Sequence, residues 1–194
     1  MALLSRRKEQ DDREAFELLV AKHHLQLYRA AYRLTGSGED AEDLLQEALL
    51  EAFADFAKFR PGTRFDRWVL RMMTHTYIDS RRKRRVQAIW SLDSPPEGMD
   101  TEYLAADGSG DPQQLIEKHG LAERVQMALD TLSSEHRAVV VLSDIEGMSY
   151  EEMAKVLGVP MGTVRSRLHR ARERMRQMLS PTLAHPGLRS GRAR

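Results

Sequence analysis

The sequence predicts an all-α fold: two small helical domains, a helical bundle and a helix-turn-helix, joined by a flexible acidic linker. Three observations carry this. Charged side chains make up 30% of the 194 residues and aromatics only 6%, too few large apolar groups for one extensive core. Apolar residues recur at helical spacing before and after a central gap, and nothing before residue 90 alternates like a strand. The gap itself, SLDSPPEGMDTEYLAADGSGDP at 91–112, is rich in Pro, Gly, Ser, Asp and Glu and has no sustained period, the composition of a linker. The predicted division is 1–88, a linker at 89–115, 116–180, and a tail at 181–194 expected to be disordered.

DREAFELLVAKHHLQLYRAAYRLTG, an amphipathic helix pattern, stops at Gly36. Ser37 is placed to cap a second helix, Glu39 to Phe56, with Asp40 at its third position. The segment AKFRPGTRF holds the breaker pair Pro61 and Gly62, so a loop is expected there. DRWVLRMMTHTYIDSRRKRR then forms a third, increasingly basic helix. Beyond the linker, QQLIEKHGLAERVQMALDTL resumes helical spacing, and SSEHRAVVVLSDIEG opens on a serine cap and closes at Gly147. The run Val139–Leu142 could form a buried strand, but its flanks favour a helix.

Composition excludes several classes. There is no cysteine, which removes disulfides, thiolate metal sites and a cysteine nucleophile and points to a reducing compartment. The opening MALLSRRKEQDD lacks the apolar stretch of a signal peptide, and no run approaches the ~20 apolar residues of a membrane span. A cytoplasmic protein is expected. The net charge of +1 hides segregation: residues 61–86 carry eight basic and two acidic side chains, 87–120 one and seven, and 161–194 nine and one. Two separated basic blocks suit a chain that touches a polyanion twice.

The most specific stretch is MSYEEMAKVLGVPMGTVRSRLHRAR. Ser149 with Glu152 forms a capping box, Met153, Ala154 and Leu157 are expected to face inward, and Gly158 ends a short helix. Val159 and Pro160 make a turn, and a second helix follows with Val164, Leu168, Ala171, Met175, Met178 and Leu179 on its core stripe. This is a helix-turn-helix, whose second helix enters the major groove. Arg165 and Arg170 are placed to reach guanine edges, with Ser166, His169 and Gly162 on the same open face. Thr163 and Arg167 suit phosphate contacts, which position without specifying. Arg172, Arg174 and Arg176 lie further along and are in part a solvated face.

The second helix carries Ala41, Leu45, Ala48, Leu49, Ala52 and Phe56 on one side and Asp40, Asp43, Gln46 and Glu47 on the other, with Leu50 amid the acids. An acidic patch with an apolar centre suits a protein partner that is basic at its rim. A metal site is the rival reading, but it lacks histidines and a glycine-turned loop. On the third helix, Phe65, Trp68 and Tyr77 are surrounded by Arg60, Arg64, Arg67 and Arg71. These aromatics fit either a three-helix core or, with the Pro61 loop, a pocket for bases pulled out of a duplex. The cluster Arg81–Arg85 continues a helix and suits backbone binding.

Taken together these residues resemble the extracytoplasmic-function (group IV) sigma factors of bacterial RNA polymerase. DAEDLLQEALLEAF is similar to the family's region 2.2, FDRWVLRMMTHTYIDSRRKRR to regions 2.3 and 2.4, and LDTLSSEHRAVVVLSDIEGMSYEEMAKVLGVPMGTVRSRLHRARERM to region 4. The resemblance covers residues 12–179 in order. It implies that Asp40, Asp43, Gln46, Glu47 and Leu50 bind the coiled coil of the polymerase β′ clamp, and that the second domain meets the β flap. It implies that the loop Pro61–Phe65, flanked by Arg60, Arg64 and Arg67, holds a flipped base of the melted −10 non-template strand. Trp68, Arg71, His75, Asp79, Arg82 and Arg85 would contact the rest of that element. Arg165, Ser166, His169 and Arg170 would read the duplex −35 element, with Gly162, Thr163 and Arg167 beside them. Many family members have asparagine where this chain has His75, whereas Asp79 and Arg82 fit the usual pattern. An anti-sigma factor is expected as a further partner, the chain itself is expected to be a monomer, and no catalytic residue, metal or cofactor is implied. The alternatives are a stand-alone helix-turn-helix regulator, which normally dimerises on palindromic half-sites, and a hydrolase using His23, His24 or His75, for which the sequence offers no nucleophile elbow or phosphate loop.

Overall fold

The computed structural model describes residues 2–91 and 120–183, and among these there is no strand. In order they form α1 (Ala2–Thr35), α2 (Gly38–Ala54), a 3₁₀ turn (Phe56–Lys58), α3 (Phe65–Ser91), α4 (Leu121–Asp130), α5 (Ser134–Val140), a π-helical turn (Val141–Ile145), α6 (Tyr150–Leu157) and α7 (Met161–Leu183).

The joints follow the sequence signals. Gly36 takes φ +81°, a left-handed conformation that costs glycine little, and so ends α1. Ser37 accepts a hydrogen bond from the Asp40 N–H at 3.3 Å and starts α2. Ser133 caps α5 by accepting from the His136 N–H. The Ser149–Glu152 capping box closes reciprocally, at 2.7 and 3.2 Å. Gly158, at φ +64°, closes α6 and turns the chain into α7.

Several boundaries move. α1 begins well before residue 12, and α3 runs to Ser91, past the expected domain end at 88. α2 ends at Ala54, so Phe56 belongs to the 3₁₀ turn. The helix expected from residue 113 is described from Gly120, which caps α4, and the remainder of the linker lies outside the described residues. α7 continues to Leu183, so 181–183 are not tail; a proline there forfeits only a bond within the last turns, where the helix is ending anyway. Residues 184–194 lie outside the described residues. Val139–Leu142 is helical, the alternative the flanks favoured, but the helix widens into a π turn in which the Glu146 N–H reaches the Val141 carbonyl at 2.9 Å.

α1, α2 and α3 pack around Leu27, Leu34, Leu45, Val69, Leu70 and Met73; α4 to α7 pack around Leu129, Leu142, Met153, Val164 and Leu168. Burying each of the larger side chains is worth about 1.5–3 kcal/mol. One continuous buried cluster includes residues of both halves. Across the junction Arg137, only 5% exposed, donates to the Leu34 carbonyl at 2.8 Å and pairs with Asp130 at 3.0 Å. Arg33 donates to the Ala122 carbonyl and to Gln126, each at 3.2 Å. The helix-turn-helix core stripe holds, with one amendment. Met153 is buried, but its partner on α6 is Val156; Ala154 and Leu157 are only half-buried.

Candidate nucleic-acid interface

Three surfaces carry the charge. On α2, the core stripe of Ala41, Leu44, Leu45, Ala48 and Ala52 is buried, which turns Asp43, Gln46 and Glu47 outward as exposed side chains. Leu50 stands among them at 64% exposure. Asp40 is half-buried and faces Arg84 of α3 at 3.6 Å. A groove of about 780 Å³ runs beside this face, lined by Leu25, Tyr28, Leu49, Leu50 and Phe53. The arrangement is an acidic rim next to an apolar trough, suited to a helical partner.

The second surface is the start of α3 with the loop before it. Arg60, Pro61, Gly62 and Arg64 are exposed, and Gly62 takes φ +85°, which turns the loop tip. Phe65 does not belong to this surface. It is 2% exposed and lies edge-on to Phe16 and Phe59 at 5.7 and 5.6 Å. Trp68 is half-buried and packs on Phe59 at 5.1 Å. Of the two readings of these aromatics, the core reading is the one observed for Phe65, because six rings condense at the end of the bundle and gain from edge-to-face packing. Tyr77 is also buried, and burial raises its pKa.

Arg64 grips Asp66 with two hydrogen bonds, Nε to Oδ1 at 3.0 Å and Nη2 to Oδ2 at 2.5 Å. Asp66 is buried, which works to raise its pKa, yet the Arg64 bonds and charge and the Arg67 N–H hold it below the usual carboxylate value. Asp66 thus fixes a cation that sequence reading assigned directly to DNA; its own role was missed, although an acid in the first turn of a basic helix was a legible signal. Further along, Arg71, His75, Asp79 and Arg82 are exposed and Arg85 is half-buried. Arg82 lies 3.9 Å from Asp79. His75 makes a contact that the sequence did not foretell, its Nε2 meeting the Val156 carbonyl of α6.

The third surface is the N-terminal half of α7. Val164, Leu168 and Ala171 are buried, leaving Gly162, Arg165, Ser166, His169 and Arg170 exposed and Thr163 and Arg167 half-buried. Arg165 lies over the Tyr150 ring at 5.6 Å, and Ser166 donates to the Thr163 carbonyl at 3.0 Å. Arg172 is held by Asp144 at 2.5 and 3.1 Å, and Arg176 by Glu173. The later arginines are therefore committed to ion pairs, and the earlier ones present the open basic face.

One acidic docking face and two basic surfaces on separate helical units define a DNA-binding factor that also engages a protein. Comparison with known proteins is specific. Residues 19–86 match sigma-70 region 2, and residues 122–175 match sigma-70 region 4. The ECF RNA polymerase sigma factor SigE of Mycolicibacterium smegmatis is 42% identical over 86% of this chain, which spans 62% of that protein's length. The ECF RNA polymerase sigma factor SigW of Bacillus subtilis is 32% identical over 87% of this chain and 90% of its own. Among solved structures, the sigma factor RpoE of Bartonella quintana, bound to the anti-sigma factor NepR, matches 88% of this chain and 98% of its own with a TM-score of 0.61 at 24% identity. CnrH in complex with the cytosolic domain of CnrY covers 92% of this chain and 96% of its own, with a TM-score of 0.58 at 25% identity. The chain belongs to the sigma-70 family, as an extracytoplasmic-function RNA polymerase sigma factor.

Proposed function

We propose that this chain recruits core RNA polymerase through α2 and selects promoters through its two basic surfaces, without catalysing a reaction itself. Asp40, Asp43, Gln46, Glu47 and Leu50 dock on the β′ clamp, and the α4–α7 unit meets the β flap. Arg60, Pro61, Arg64, Arg67, Trp68, Arg71, His75, Asp79, Arg82 and Arg85 serve the melted −10 strand, with Phe65 supporting them from the core. Gly162, Thr163, Arg165, Ser166, Arg167, His169 and Arg170 serve the −35 duplex. Each DNA surface is small, so high affinity needs both to be fixed at the right spacing by the polymerase. The proposed domains are 1–88 and 116–180, flanked by the linker and the tail, with the α3 and α7 ends moved as described.

The single observation that carries the reading is the exposed Leu50 set among Asp43, Gln46 and Glu47 beside an apolar groove, because a stand-alone regulator has no use for such a face. An anti-sigma factor, the kind of partner held by two of the structural relatives, is the regulator expected for this chain. No described helix is long and apolar enough to cross a membrane, and work in the cytoplasm follows from the polymerase partner. Asp43→Lys with Glu47→Lys should abolish co-migration with purified core on gel filtration while the circular dichroism spectrum stays helical. Retained co-migration would remove the docking assignment.

A further inference from the structure

We propose that Glu146 and Glu152 of the helix-turn-helix unit stand in for DNA phosphate beside Arg64 and Arg67, so that the free chain masks its own −10 surface until core polymerase separates the halves. The inference rests on the proposed −10 role of those arginines. It adds a partner that the sequence reading did not contain, namely the chain's other half.

Four contacts bring the acids and arginines together. Gln26 of α1 spans the junction, its Nε2 donating to Glu146 at 2.9 Å and lying 3.5 Å from Asp66, the carboxylate that Arg64 grips. Arg67 Nη2 donates to the Gly147 carbonyl at 3.3 Å. His75 meets the Val156 carbonyl from the next turns of α3. Glu152, next on the same face, receives the Ser149 N–H at 2.7 Å. Three residues assigned to the −10 strand, Arg64, Arg67 and His75, therefore lie against the segment 146–156, two of them in direct hydrogen bonds to its carbonyls.

The electrostatics agree in direction. The Ser149 N–H is the first cause of Glu152's lowered pKa, and the charges of Arg67 and Arg64 add to it. Arg64 is raised chiefly by Asp66, with Glu152 and Glu146 contributing. Arg67 keeps Nε and Nη1 buried without a hydrogen-bond partner, so its cationic group has donors to spare where an anion would otherwise sit. Carboxylates and a carbonyl thus occupy the neighbourhood that the phosphates of a nucleic-acid strand would take, and a strand approaching the free chain meets like charge.

The test uses the full chain with Glu146→Gln and Glu152→Gln together. Glutamine keeps the acceptor to Gln26 and still completes a capping box, so the fold is retained and only charge is removed. A control chain with Glu51→Gln and Glu151→Gln, both exposed, undergoes the same change in net charge. Fluorescence anisotropy with a labelled mixed-sequence single strand of about 20 nucleotides should give affinity about fivefold above wild type for the first pair, as expected for two released charge contacts, and little change for the control. Equal gains in both chains would reduce the effect to net charge and overturn the proposal.

A second readout follows conformation. The chain has no cysteine of its own, so Lys22→Cys and Gln177→Cys can be labelled for energy transfer. High transfer in the free chain that falls on core binding is expected, and high transfer retained in the core complex would overturn the masking. Failure of the wild type to bind core would instead count against the sigma-factor reading, since both free-chain measurements are independent of polymerase.

Discussion

Arg137→Met should destabilise the chain by about 2 kcal/mol, and the figure follows from the junction it occupies. Leu34 lies in the last turn of α1, where carbonyls have no intrahelical donor, and Arg137 Nη1 fills that place at 2.8 Å. Removing the donor strands a carbonyl in a closed site, at a cost of about 1–3 kcal/mol. The ion pair to Asp130, whose side chain is 38% exposed, adds only about 0.5 kcal/mol after solvent screening. Methionine keeps most of the packing and escapes the desolvation of a buried guanidinium, an offset of about 1 kcal/mol. For a chain of this length the net loss lowers the melting temperature by about 4–8 °C. Urea unfolding followed by far-ultraviolet circular dichroism measures it, with one transition expected because both halves share a core. A loss below about 0.5 kcal/mol would refute the assignment of the Leu34 carbonyl to Arg137.

Three further outcomes are expected. Arg170→Ala should weaken recognition of the upstream promoter element by about 1–3 kcal/mol and relax preference at one base pair; a uniform loss across sequences in a binding titration would make it a phosphate contact. Ser149→Ala removes the cap of α6, whose N-terminal N–H of Glu152 it satisfies, and should cost about 1 kcal/mol in urea unfolding; an unchanged midpoint would mean that water replaces the hydroxyl. Asp66 has a folded pKa below its unfolded value of about 3.9, so its contribution is present above that value and lost as pH falls through the folded pKa. Asp66→Asn should therefore flatten the acid limb of the stability profile, and an identical limb in both chains would contradict the Arg64–Asp66 assignment.

The local features were legible because local chemistry fixes them. Ser37, Ser133, Ser149, Gly36 and Gly158 act within a turn of their own position, and each sits at the helix end its side chain or its freedom in φ predicts. The exposed face of α7 and the acidic face of α2 were readable for the same reason, since helical spacing alone separates Leu168 from His169 and Leu45 from Gln46. What failed was tertiary. Phe65 has the chemistry of a base-stacking residue, but its neighbours Phe16 and Phe59 come from other elements and draw it inward. Val156 was passed over for Ala154 and Leu157 because a two-turn helix leaves the stripe ambiguous by one residue. Arg137, Gln26, Glu146 and the His75 contact with Val156 bridge residues 81 to 120 apart, a separation at which no pattern in the chain announces a partner.

The central assignment is tested most directly by run-off transcription with sigma-free core polymerase, using as template the promoter region upstream of this chain's own gene. A discrete transcript that requires the wild-type chain and is lost with Asp43→Lys and Glu47→Lys is expected. No transcript, together with tight binding of the free chain to duplex operator DNA, would contradict promoter selection through polymerase and make the chain a stand-alone helix-turn-helix regulator.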